Sequence, residues 1–218
     1  QYNLSEEGRK AIIPLEQAVI AKDSAAYQAG LPVGQAAAKT PDDRYAIAQL
    51  HLQHGPNTND KALQLAALDA LVKSGGATSD ELPKLYRGIA SLNVDTKNLN
   101  GASAALEQLA QLQPNSTEPL LQLAELRAQQ QRPSDAIGYL EQAISMQKAA
   151  GQAVPEGWYK RALKFAHEGK LGSKADSLSR ILLQAYPSAD NWQVALYFFR
   201  DGAALDKDGE LGLLPLLR

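Results

Sequence analysis

The sequence predicts an all-α protein built from stacked helical hairpins. Three observations carry that expectation. First, the segments 83–116, 117–150 and 156–189 place the same residue types at the same positions: Tyr86, Leu120 and Tyr159 fourth, Ala102, Ala136 and Ala175 twentieth. The first two abut at a period of 34 and the third follows a five-residue insert. A fixed period in that range marks an array in which each unit buries its apolar face on its neighbours. Second, Ala, Leu and Gln are abundant while aromatics are only 6%. That is a helix-forming composition with small residues where helices approach closely. Third, Pro, Gly and Asn fall where hairpins would turn or stop.

From the N-terminus, residues 5–21 read as a helix with Ser5 as N-cap. Gly8 stands where a capping box would place Glu, so only the Ser half is present. Pro14 should kink this helix or sit near its start. Residues 23–39 give its partner, with Gly30 and Pro32 as weak points and Pro41 after its end. Together 5–41 form a degenerate hairpin. The next repeat, 42–82, is also degenerate. It has Tyr45, Ala48 and Leu52 on one helix and Ala62, Leu65, Ala66, Leu68 and Leu71 on another, joined by a longer connection over 54–60. Gly75-Gly76 stops the second helix.

The three clearer units share one plan. In 83–116, Leu82, Tyr86, Ile89, Ala90 and Leu92 stripe the first helix. Asn98 to Gly101 turns, Ala102, Leu106, Leu109 and Ala110 line the second helix, and Pro114 ends it. In 117–150, Glu118 and Pro119 suit a first helical turn. Leu120, Leu121, Leu123, Ala124 and Leu126 follow. Residues 129–133 turn, Ser134 is the expected N-cap, and Ala136, Ile137, Leu140, Ala143 and Ile144 recur at helical spacing. In 156–189, Tyr159, Ala162, Leu163 and Ala166 precede a 169–173 turn, then Ala175, Leu178, Leu182 and Leu183, closed by Pro187. Residues 190–200 read as a capping helix whose Trp192, Leu196 and Phe199 cover the last repeat. The apolar stretch 211–217 reads as a docked terminal helix or the stub of a longer protein.

The positions of Leu120, Leu123, Ala124, Ala136, Leu140 and Ala143, and of Tyr159, Ala162, Leu163, Ala175, Leu182 and Pro187, resemble the tetratricopeptide repeat family. Arg127, Asn93 and Ala166 replace the family's first-helix aromatic, and Ser179 replaces a large second-helix residue. The resemblance implies one tetratricopeptide-like α-solenoid over 1–218, wound as a right-handed superhelix, with 190–218 as capping helix and tail. It further implies that the second, fifth, ninth and twelfth places of each unit line a concave groove. These are Lys84, Arg87, Ser91 and Val94; Glu118, Leu121, Glu125 and Ala128; and Gly157, Lys160, Lys164 and His167. Such a groove is basic at both ends and acidic with an apolar spot between, suited to an extended peptide or partner helix. The family's chaperone-binding members carry an Asn at the ninth place with a Lys four places before it. Ser91, Glu125 and Lys164 stand at that ninth place here, so that ligand is not expected.

Little else suggests chemistry. With no cysteine, the chain has no disulfide, thiolate nucleophile or cysteine-based zinc site. Of three histidines, His51 and His54 stand at i, i+3, a spacing open to metal ligation with Asp60 as a conceivable third group. The plainer reading is two exposed or groove-lining histidines. No nucleophile elbow or phosphate-binding loop occurs. The acid pairs Glu6-Glu7 and Asp42-Asp43 fall at helix starts, where the helix dipole accounts for them. A formal net charge of −2 does not suggest nucleic acid or an anionic membrane. No apolar run approaches the roughly 18 residues of a membrane span. Two glycosylation-type triplets, at Asn3 and Asn115, carry little weight. Trp158, beside the 151–155 insert, and Trp192 are candidate contact or core residues. At least one of Tyr197, Phe198 and Phe199 must point away from a single helix face.

The expected function is a non-enzymatic protein–protein interaction scaffold binding a protein or peptide through Lys84, Arg87, Ser91, Leu121, Glu125, Lys160, Lys164 and His167. No catalytic residue, metal or cofactor is expected. The start at Gln1, the lack of cysteine and the Ala/Gln-rich style favour a periplasmic or secreted part of a bacterial cell-envelope assembly. A cytoplasmic adaptor is the alternative, and a metal-binding or enzymatic protein using His51 and His54 a lesser one. The partner and the oligomeric state are not legible.

Overall fold

The structure is a computed structural model describing residues 3–58 and 60–202; the side chains of 55–58 and 199–202, and the expected tail at 211–217, lie outside the description. Eleven helices and no strand occur among the described residues. The chain divides into two compact units, 1–114 and 115–218. The first holds α1 (Glu6–Ile20), α2 (Ser24–Ala37), α3 (Pro41–Thr58), α4 (Lys61–Ser74), α5 (Leu82–Asp95) and α6 (Leu99–Leu112). The second holds α7 (Glu118–Gln129), α8 (Pro133–Ala149), α9 (Glu156–Glu168), α10 (Gly172–Ala185) and α11 (Ala189–Gly202).

Successive helices pair as hairpins, α1 with α2, α3 with α4, α5 with α6, α7 with α8 and α9 with α10. Four of these hairpins use one turn. Three residues join the helices, and the middle one, Lys22, Lys97, Gln131 or Lys170, lies in the left-handed region at φ 54–59°. In each, the next residue's amide donates back five places, as Asn98 N does to the Asn93 carbonyl at 2.8 Å and Leu171 N to the Ala166 carbonyl at 2.8 Å. That closes the last carbonyls of the first helix in the Schellman manner.

This shared turn moves several expected boundaries. Asn98 is the N-cap of α6, its side chain accepting from Gly101 N, so the 98–101 turn is shifted to 96–98. Ser134 does not cap α8; Arg132 holds the cap position with Pro133 behind it. The 169–173 turn shortens to three residues because α10 begins at Gly172. The fifth hairpin differs. The expected 54–60 connection is mostly helix, since α3 runs to Thr58, and Asp60 then caps α4 by accepting from Ala62 and Leu63 N. Pro14 lies inside α1 and not near its start, and Gly30 and Pro32 lie inside α2, which continues through them.

The core of the second unit is apolar and small. Leu123, Ala124, Ala136, Leu140, Ala162, Leu163, Ala166 and Leu182 are all buried. The 151–155 insert folds onto it. Val154 joins the core, its carbonyl accepts from the Tyr186 hydroxyl, and Trp158 packs alongside, half-buried. The first unit relies more on polar ties. Ser5 Oγ accepts from Gly8 N at 2.9 Å, the half-box the sequence shows. The missing half comes from another helix, because the Asp43 carboxylate accepts from Ser5 N at 2.9 Å and Ser5 Oγ at 2.7 Å. Asp43 also accepts from Thr40 N and Lys39 N, while Asp43 N donates to Thr40 Oγ1, a capping box for α3 itself. Gly8 is needed there, since a Cβ would fall 2.2 Å from Asp43 Oδ1. Asp43 is thus fully buried and joins two helix starts, a role the helix-dipole account of Asp42-Asp43 does not reach.

Candidate functional site

The departures from the family pattern are resolved locally. Asn93, in place of an aromatic, is buried. Its Nδ2 donates to the Ile89 carbonyl at 2.9 Å and its Oδ1 accepts from Asn98 Nδ2 at 2.7 Å, tying α5 to its own turn. Arg127 lies over the Tyr139 ring at 6.0 Å. Ser179, also buried, returns its hydroxyl to the Ala175 carbonyl at 2.8 Å.

On α5, Lys84, Arg87, Ser91 and Val94 are exposed along one face, spaced at i, i+3, i+7 and i+10. Arg87 Nη2 donates to Gln113 Oε1 at 3.0 Å. In the second unit, Leu121 and Glu125 of α7 are half-buried, while Lys160 and Lys164 of α9 are exposed and His167 half-buried. Arg161, absent from the expected set, reaches across to Glu125 at 3.0 Å and links α7 to α9. Nothing in its place within the repeat signals this reach.

The α9 face is not bare cation. Lys160 pairs with Glu156 at 2.7 Å and Lys164 with Glu168 at 3.7 Å. Glu156 also accepts from Asn191 Nδ2 of α11. The Lys160 ammonium and this amide hold the Glu156 carboxyl below its usual range. These exposed pairs stabilise little. The face presents alternating signs, with the ammonium groups on the solvent side. His167 meets Tyr197 and Phe198 of α11 edge-on, ring centres 5.7 and 5.2 Å away. A depression of about 590 Å³ beside them is lined by His167, Lys170, Leu171, Ala175 and Phe198.

Of the two histidines expected to be exposed or groove-lining, His51 is half-buried and borders a depression, while His54 is buried. His54 is only 2% exposed and stacks on Tyr27 at 4.2 Å, with neither ring nitrogen hydrogen-bonded. His51 Nδ1 lies 3.1 Å from the Tyr27 hydroxyl. Burial pushes the Tyr27 phenol up. Burial, then the neighbouring His54, pushes the His51 imidazole down. Asp60 is occupied as a helix cap. No group of three His, Asp or Glu side chains with metal-binding spacing occurs among the described residues. His51 instead borders a second depression of about 360 Å³, floored by Leu31, Ile47, Ala48, Ala66 and Ala70.

No known family profile matches the chain, and no curated protein matches it in sequence. Among solved structures it is similar to PilW, a widely conserved type IV pilus biogenesis factor, at 14% identity and a TM-score of 0.47, covering 87% of this chain and 82% of that one. It is similar to PilF of Pseudomonas aeruginosa at 14% identity and a TM-score of 0.42, covering 97% and 92%. A thermophilic tetratricopeptide repeat protein of Thermus thermophilus gives 16% identity, a TM-score of 0.39, and 86% and 98% coverage. The chain's own structure shows stacked helical hairpins that bury Ala102, Ala136 and Ala175 at the repeated position.

Proposed function

We propose that this protein is a non-enzymatic scaffold that binds a protein or peptide through the outward faces of its first helices. The observation that supports this most is the α9 face. Lys160, Lys164 and His167 recur at i, i+4 and i+7, flanked by the Glu125–Arg161 pair and by the Tyr197 and Phe198 rings. A face of alternating charge with an aromatic end fits a partner segment that carries acidic residues beside an apolar anchor. Lys84, Arg87 and Ser91 on α5 offer a second exposed polar face in the other unit. In this reading the partner is a protein, and the setting is a bacterial cell-envelope assembly, compatible with a cysteine-free chain. Cell fractionation tests that setting.

Charge reversal at Lys160 and Lys164 tests the binding face. Partner capture should weaken several-fold while the unfolding midpoint moves little, because exposed i, i+4 pairs add little to stability. Unchanged capture would move the site away from α9. Zinc or nickel bound stoichiometrically to purified protein at neutral pH would contradict the pure scaffold.

A further inference from the structure

The depression of about 360 Å³ that His51 borders lies wholly within the first unit, and its volume is that of a small-molecule site. The buried Ile47 and Ala48 of α3 form its floor, with Leu31 of α2 on one side and Ala66 and Ala70 of α4 on the other. Both α4 alanines are exposed, so small side chains leave this space uncovered. Arg44, near the start of α3, and Lys73, near the end of α4, stand at one end. His51 stands at the other, seven residues along α3 from Arg44, or about 10 Å along the helix axis.

The two ends differ in charge. Arg44 gives its N–H groups to carbonyls, Nε and Nη2 to Ser74 at 3.3 and 3.1 Å and Nη1 to Lys39 at 3.2 Å. Those bonds fix the guanidinium in place without neutralising it. Among the described residues Lys73 makes no ion pair, and no Asp or Glu lines the depression. The nearby acids are committed elsewhere, Asp42 to Asn3 N and Asp43 to the amides of Ser5, Lys39 and Thr40. An acid-free pair of cations stands out in a chain whose net charge is −2. At the far end, His51 Nδ1 lies against the Tyr27 hydroxyl, and burial pushes the imidazole down, so that end is neutral at pH 7.

An aliphatic carboxylate matches this layout. Its chain removes Ile47, Ala48 and Leu31 from water, and its carboxylate meets both cations in charge-assisted hydrogen bonds. A staggered chain advances about 1.3 Å per carbon, so about eight carbons reach from Arg44 to His51. A peptide fits less well. Between the ends only Gln35 offers a polar side chain, too little for the N–H and C=O groups of an extended backbone.

We propose that this depression binds an aliphatic carboxylate of about eight carbons, its carboxylate between Arg44 and Lys73 and its chain over Ile47 and Ala48 towards His51. The site goes beyond the scaffold reading and shares no residue with the α5 and α9 faces.

Calorimetric titration of the full chain with sodium octanoate at neutral pH tests it. One molecule should bind per chain with a Kd on the order of 100 μM. No saturable binding into the millimolar range overturns the proposal. Octanol, equally long but uncharged, should bind about tenfold or more weakly; equal binding takes the cations out of the site and overturns it. Lys73→Glu and Ala70→Glu, both at exposed positions, should each lower octanoate affinity about tenfold with the unfolding midpoint little changed. Should either fail to fold, Lys73→Gln still tests the charge, with a smaller loss. Lys160→Glu with Lys164→Glu should bind octanoate as the parent does, whatever becomes of partner capture. Affinity lost only in that α9 variant, or unmoved by the changes at Lys73 and Ala70, puts the ligand elsewhere and overturns the proposal. A short acidic peptide with one Leu that binds here where octanoate does not assigns the depression to a protein partner. A dimer broken by Ala70→Glu, in protein that takes up no octanoate, assigns it to a second copy; either result overturns it.

Discussion

The two units of this molecule are built from the same hairpin but held in different ways. Among the described residues of 115–202 the helices meet mainly through apolar side chains, with Ala136, Leu140, Ala162 and Leu163 buried together, and Ser179 and Asn191 are the buried polar side chains there. In 1–114 the corresponding work is shared with buried polar groups. Asp43 ties α1 to α3, Arg44 donates Nε and Nη2 to the Ser74 carbonyl at the end of α4, and Asn93 ties α5 to its turn. Close apolar packing is non-directional and tolerates drift in sequence only where volume is kept. Polar ties are directional, so the first unit can depart from the repeat pattern provided each donor finds its acceptor.

That contrast orders the expected effects of substitution. The largest falls in the second unit. Leu140→Ala should cost about 2–5 kcal/mol in urea unfolding, the usual range for emptying a fully buried Leu site; a loss under about 1 kcal/mol would mean that this core does not hold the unit. Asp43→Ala should cost about 2–3 kcal/mol, since the amides of Ser5, Lys39 and Thr40 lose one shared acceptor. A near-neutral result would place the stability of the first unit in its apolar contacts after all.

The same carboxylate sets an acid limit. Burial opposes its charge, but hydrogen bonds from Thr40 and Ser5 outweigh that and bring the Asp43 pKa down to about 2. A group whose folded value is depressed contributes stability above its unfolded value, and that contribution is lost as pH falls towards the folded value. Stability should therefore drop between about pH 4 and pH 2, and Asp43→Asn should flatten that part of the profile. A profile of the same shape in the Asn variant would show that other carboxylates govern it. The smallest effect belongs to the shared turn. Lys97→Gly should stabilise by about 0.5 kcal/mol, because Gly takes the left-handed conformation without the Cβ penalty but loses more chain entropy on folding; calorimetry of the two proteins measures it.

Hairpin identity was legible wherever small and large apolar residues alternate at fixed places, as at Ala136 and Leu140. Turn positions were less so, because Lys22, Lys97, Gln131 and Lys170 occupy a conformation that Gly normally advertises. The extent of α3 was hidden by a Gly-Pro-Asn run that reads as a turn. Asp43 could be placed at a helix start, but its hold on Ser5 joins residues 38 apart in sequence and leaves only Gly8 as a trace. The α9 face was legible as spacing. Its charge balance was not, since the reach of Arg161 to Glu125 depends on how two hairpins stack.

The central claim is that the first-helix faces bind a protein partner. The most direct measurement compares quantitative partner capture by the parent, by Lys160→Glu with Lys164→Glu, and by Lys174→Glu. Lys174 is also paired, with Glu141 at 2.6 Å, but on the second helix of its hairpin. A partner held by the parent and the Lys174 variant but lost from the α9 variant is the predicted result. Equal capture by all three, or loss only from the Lys174 variant, would contradict it.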